Sequence, residues 1–179
     1  MGIQHFHIEG HVYYVTTVVY GRLPIFTRPT YVVALIDSLN FYRFKLAFKL
    51  LGYVIMHDHA HLMIWPQGSA TISDIMRDYK KFTSGRIIRQ TEAEGNRDWL
   101  AAFCEAGKNT GRSDHKVWQD DFWDENVYTE HFLRQKLNYM HRNPVRAGLV
   151  EQPEQYPYSS YRNYVQGDES LIEIDQEWI

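Results

Sequence analysis

The stretch "YVIMHDHAHLMIWP", residues 53–66, sets three histidines, His57, His59 and His61, at alternate positions inside an otherwise apolar run. A period of two is the strand repeat, and residues i and i+2 of a strand face one side about 7 Å apart. Asp58 divides the run into two apolar pieces, 50–57 and 59–66, or, depending on register, the stretch is one bent hairpin; Pro66, Gln67 and Gly68 end it. Leu62, Met63, Ile64 and Trp65 follow His59-Ala60-His61 directly, so this pair belongs to a strand with apolar surroundings. Two imidazoles on one strand face are close enough to hold one divalent ion. Without a third ligand they read as hydrogen-bonded strand histidines. His5 and His7 share the spacing, but they lie in an unpatterned N-terminal stretch, and nine histidines produce such pairs by chance.

Outward from the hairpin, residues 11–20, "HVYYVTTVVY", are β-branched and aromatic between Gly10 and Gly21 and predict a strand. From about Pro29 to Leu46 the spacing of Val33, Ile36, Leu39, Tyr42 (or Phe41) and Leu46 predicts a helix. Thr71 with Asp74 three residues on forms a capping-box pattern for a second helix, whose apolar face runs Ile72, Ile75, Met76, Tyr79, Phe82. Residues 95–116 are rich in Gly, Asn, Ser and charge and read as a long loop or insertion. "VWQDDFWDENVY" reads as an edge strand. Thr129 caps a third helix that runs to about Arg142, because Pro144 disfavours helical geometry at Asn143. The order predicts an α+β fold: a split βαβ antiparallel sheet of the ferredoxin and RNA-recognition type, with helices packed on it.

At 179 residues with 44% hydrophobic content, the chain fits one domain, 1–179, with an acidic tail over about 151–179. "MGIQHFHIEG" has no apolar core of a signal peptide and no run spans a bilayer, so no membrane association and a cytoplasmic location are expected. The single cysteine, Cys104, agrees with a reducing compartment. The net charge of −3 argues against nucleic acid until its distribution is read. "RDYKKFTSGRIIR", 77–89, has five basic residues against Asp78, residues 129–148 have four against Glu130, and residues 151–179 have seven acidic residues against Arg162. Patches rather than totals steer ligands. Lys80, Lys81, Arg86, Arg142 and Arg146 are the candidate phosphate contacts, and some of the 27 aromatic residues could stack on unpaired bases.

A third ligand could come from "LNYMHRNPVRAGLV", 137–150. Leu133, Leu137 and Met140 form the core stripe of the third helix. Tyr139 and Asn143, one turn apart, lie about 100° round from it. An Asn carbonyl oxygen is a reasonable ligand for Mg²⁺ or Mn²⁺ beside two imidazoles. Taken in order, "HAH" followed by "LMI", "WQDDFWDENVY", "YMHRNPVRAGLV" and "YPYSSYRNY" resemble the single-tyrosine HUH transposases, and most of all the REP-associated tyrosine transposases, over most of residues 5–165. The resemblance implies His59 and His61 as HUH metal ligands, Asn143 as the third ligand and Tyr139 as the nucleophile. It also implies cleavage and strand transfer of single-stranded or hairpin DNA through a 5′-phosphotyrosine, by a monomer or a homodimer.

Two other classes compete. His57, His59 and His61 could hold a zinc-bound water in a hydrolase, although alternate positions of one strand close a tetrahedral site poorly. The chain could also be a non-catalytic nucleic-acid-binding module.

Overall fold

A computed structural model describes residues 8–110, 113–169 and 171–176; His5 and His7 lie outside them. β1 (Val12–Val18) leads through α1 (Pro29–Lys45) to the hairpin β2 (Phe48–Ile55) and β3 (His59–Pro66). These are followed by α2 (Ile72–Ala93), α3 (Arg97–Thr110), β4 (Trp123–Val127), α4 (Glu130–His141), α5 (Asn143–Arg146) and α6 (Tyr161–Gln166). The four strands form one antiparallel sheet in the order β2-β3-β1-β4, so the split βαβ expectation holds. β4 is an edge strand, but only over the second half of the stretch read as one.

Each sheet face has its own core. Tyr13, Val15, Leu50, Tyr53, Ile55, Leu62 and Ile64 pack under α1 and α2. Val12, Tyr14, Leu51, Val54, Met63 and Val127 pack on the other side against Leu133, Leu137 and Met140 of α4. A register shift in β2 between Leu50 and Gly52 turns the consecutive residues Leu51 and Gly52 to the same face, the one that α4 covers. A Cβ on Gly52 would lie 2.7 Å from both Leu137 Cδ2 and Met140 Cε, so the missing side chain lets α4 sit close on the sheet. The capping box of α2 is formed: Thr71 Oγ1 accepts from Asp74 N, and Asp74 Oδ2 accepts from Thr71 N.

Three expectations need correction. Residues 95–116 are mostly helix. Asn96 Oδ1 accepts from Trp99 N at the start of α3, and Phe103 and Ala106 are buried. Gly107, a loop signal in the sequence, is instead a close approach, because a Cβ there would meet Ser113 O at 2.5 Å. The inner stripe of α1 runs through Val32, Leu35, Ile36, Leu39 and Tyr42, leaving Val33 and Phe41 half-exposed, because this helix is apolar on both sides. On α2 the inner stripe continues through Thr83 and Ile87, and Phe82 faces outward. Residues 151–169 and 171–176 pack against the rest of the fold. Tyr158 O and Ser160 N hydrogen-bond to β2, Ile172 and Ile174 are buried, and Asp175 pairs with Arg43 and accepts from Leu50 N.

Candidate active site

The pairing of β1 with β3 sets Thr16 opposite His61 and Val18 opposite His59. The imidazoles stand on the α4 side of the sheet, their ring centroids 4.9 Å apart and nearly perpendicular. His61 is buried, and its Nδ1 lies 2.9 Å from Tyr14 Oη and 2.8 Å from Thr16 Oγ1. Tyr14 stacks on His61 with centroids 5.4 Å apart. His59 Nδ1 lies 2.5 Å from Asp58 Oδ1, and Asp58 Oδ2 accepts from Arg22 Nη1 at 3.0 Å. Burial pushes the Asp58 carboxyl up, but hydrogen bonds and charge from His59 and Arg22 outweigh it and hold the group below the usual carboxylate range. Each imidazole therefore has one ring nitrogen engaged by a polar neighbour, which orients the ring and leaves Nε2 as the donor. A carboxylate or hydroxyl behind a histidine is the usual support for a metal ligand.

Burial, assisted by the neighbouring His59, pushes His61 down to about 3. A neutral imidazole has no proton to surrender to a cation, so this donor set fits a divalent ion. Burial likewise pushes His141 of α4 down to about 4; its Nε2 lies 2.8 Å from Ser160 Oγ. An unfolded histidine titrates near 6.5, so below that pH the unfolded chain binds more protons than the fold, and stability falls as pH falls toward 4. Melting in the presence of chelator is expected to show a loss on the order of several kcal/mol between pH 7 and 4. A flat profile would mean that these imidazoles are hydrated.

Tyr139 is 45% exposed, and its ring meets Tyr14 edge-on with centroids 6.5 Å apart. It thus stands one aromatic ring away from His61, within a single chain. Arg146 Cζ lies 4.9 Å from the Tyr139 ring centroid. Lys136, one turn before Tyr139, has its Nζ 5.3 Å from the Tyr14 ring centroid and 2.5 Å from Glu125 Oε2. Asn143 donates from Nδ2 to Tyr139 O and Met140 O, holding its side chain against the end of α4 rather than against the imidazoles.

The basic residues fall into two groups, engaged and exposed. Lys80 Nζ donates to the carbonyls of Gln119, Asp120 and Asp121 and ties that segment to α2. Arg86 pairs with Asp37 at 3.0 Å. Lys81 and Arg142 are exposed. His57 sits in the turn between β2 and β3, and among the described residues no three His, Cys, Asp or Glu side chains gather in a metal-binding group, which removes the three-histidine site. Sequence reasoning missed Tyr14, Thr16 and Lys136. Arg146, seven residues past Tyr139, has a helical spacing that could have linked the two.

With this geometry in place, the family model described as "Transposase IS200 like" matches residues 7–119. The chain belongs to the IS200-like transposase family. It is 26% identical over 121 residues to a Haemophilus influenzae protein assigned as a REP-associated tyrosine transposase, and 25% identical over 120 residues to the REP-associated tyrosine transposase of Escherichia coli K12. These matches cover 68% and 66% of this chain and 63% and 57% of the relatives, so the chain spans about three fifths of their length. The fold matches a solved REP-associated tyrosine transposase bound to a REP hairpin, with a TM-score of 0.69, 19% identity and 99% of both chains covered. Among the described residues, no helix of this family member is long and apolar enough to cross a membrane.

Proposed function

We propose that the chain cleaves and transfers single-stranded or hairpin DNA, with Tyr139 as nucleophile and His59, His61 and Asn143 as ligands of Mg²⁺ or Mn²⁺. The observation that carries this reading is the continuous contact from His59 through His61 and Tyr14 to Tyr139, residues far apart in sequence that meet on one sheet face. The likeness to a hairpin-bound REP-associated transposase supports hairpin DNA as the substrate.

The Tyr139 oxygen attacks the scissile phosphorus, forming a phosphotyrosine bond as the P–O3′ bond breaks. The phenol proton passes to solvent, and the 3′ oxygen leaves as a hydroxyl. The reverse attack by a 3′-hydroxyl reseals DNA without a nucleotide cofactor, because the covalent link conserves the bond. A free phenol, with a pKa near 10, costs about 4 kcal/mol to ionise at pH 7. A bound divalent ion supplies charge stabilisation at the phosphate oxygens. Tyr14 and Thr16 hold His61 and Asp58 holds His59, while Arg146 lies against the ring of the nucleophile. Asn143 would be the third ligand through its Oδ1, which requires its side chain to leave the Tyr139 and Met140 carbonyls. The arrangement needs one chain only, which favours a site complete in a monomer. Lys81 and Arg142 supply phosphate contacts, and Arg86 does so by exchanging Asp37 for DNA.

The test is a hairpin with a single-stranded flank, labelled at its 3′ end, incubated with Mn²⁺ or with chelator and run under denaturing conditions. Labelled protein is expected with Mn²⁺ and absent with chelator. Cleavage without labelled protein overturns the proposal.

A further inference from the structure

The side of α1 and α2 that faces away from the sheet carries a second feature that the cleavage site does not use. Between the two helices runs a groove of about 440 Å³, lined by Tyr42 and Lys45 of α1 and by Lys81, Phe82, Gly85 and Arg89 of α2, with Asp78 at one end. At its edge Phe82 stacks nearly parallel on Phe41 of α1, centroids 6.1 Å apart, and both rings are exposed. Lys45 Nζ lies 5.7 Å from the Phe41 ring centroid and 5.5 Å from that of Tyr42. Arg77 Nε donates to Asp78 at 2.9 Å, which leaves the lining with three cations against a carboxylate already engaged.

Exposed aromatics at these positions are not required by the core, since each helix buries a separate stripe. Gly85 points the same way. A glycine inside a helix costs roughly 1 kcal/mol relative to alanine, yet a Cβ at Gly85 would meet only Arg89 Nη1, at an ordinary 3.5 Å. Among the described residues no close packing demands the glycine, and its effect is to keep the groove floor open. Flat π-faces between cations suit a ligand that is itself flat, unpaired and polyanionic.

We infer that this groove binds unpaired nucleotides, their bases stacking on Phe41 and Phe82 and their phosphates lying along Lys45, Lys81 and Arg89. This extends the DNA reading above by giving the chain a second contact on the sheet face opposite Tyr139, able to hold a flanking strand while the other face cleaves. Base stacking on a protein aromatic contributes about 1–3 kcal/mol, a factor of roughly 5 to 150 in affinity for each base.

The experiment measures the fluorescence anisotropy of a labelled 12-nucleotide oligothymidine with the wild type, F41A/F82A, G85L and Y139F, together with melting temperature and sedimentation. F41A/F82A is expected to bind at least 10-fold more weakly and Y139F as the wild type. G85L, which fills the groove with a better helix former, is expected to lose binding while melting no lower. Wild-type affinity in both F41A/F82A and G85L overturns the groove and leaves the cleavage proposal standing. A change in sedimentation with unchanged binding overturns it in favour of self-association. Failure of the wild type to bind any oligonucleotide overturns both readings, and groove-dependent binding in a protein that never forms an adduct overturns the cleavage proposal alone.

Discussion

Replacing Tyr139 with phenylalanine is expected to reduce strand cleavage by roughly 10⁴-fold or more, because loss of a nucleophile leaves only binding and electrostatics behind. The labelled adduct should disappear with it. The substitution should disturb little else. Tyr139 is half-exposed, and its contacts with Tyr14 and Arg146 are made by the ring, which phenylalanine keeps. Stability should therefore stay within about 0.5 kcal/mol of wild type, and affinity for uncleaved hairpin should be unchanged. Tyr14 is the neighbouring phenol in contact with His61, but burial pushes its hydroxyl well above the ordinary tyrosine range and makes it a poor substitute. Persistent adduct in Y139F, mapped to Tyr14 or elsewhere, would remove Tyr139 from the mechanism. Cleavage that persists with no adduct would point to an activated water instead.

The parts of this site that could be read in advance are local ones. A hairpin with histidines two apart, a threonine capping box and an amphipathic third helix each depend on residues within a few positions of one another, and each stands in the fold. What escaped depends on register and tertiary approach. Tyr14 within "VYYVTTV" looks like any strand aromatic, and only the pairing of Thr16 with His61 brings its hydroxyl onto an imidazole. Asp58 reads as a hairpin punctuator, and its contact with His59, its neighbour in sequence, rests on side-chain conformations that composition does not specify. α3 was obscured because its glycine, a loop signal by composition, is there to let residues 113–115 pass close by. Lys80 and Lys81 are adjacent members of one basic run, yet helix geometry turns Lys80 to the carbonyls of 119–121 and leaves Lys81 outside. No pattern in the run separates them.

The second large effect is expected for His61→Ala. If the paired imidazoles hold a divalent ion against the scissile phosphate, removing one forfeits several kcal/mol of charge stabilisation, about 10³-fold in rate. It also leaves Tyr14 Oη and Thr16 Oγ1 without their shared partner, at a cost of about 1–3 kcal/mol in stability. The two losses separate experimentally. Asp58→Asn keeps both imidazoles and alters only the group behind His59, so it should weaken apparent Mn²⁺ affinity by about 10–100-fold and recover its rate at high Mn²⁺. His61→Ala should not recover at any Mn²⁺ concentration. The stability deficit of His61→Ala should also shrink as pH falls toward 4, because the variant no longer holds an imidazole that resists protonation. If folded His61→Ala cleaves at the wild-type rate, the pair is strand packing tied to Tyr14 and Thr16, and the catalytic charge must come from elsewhere, with Arg146 beside the nucleophile the first residue to replace.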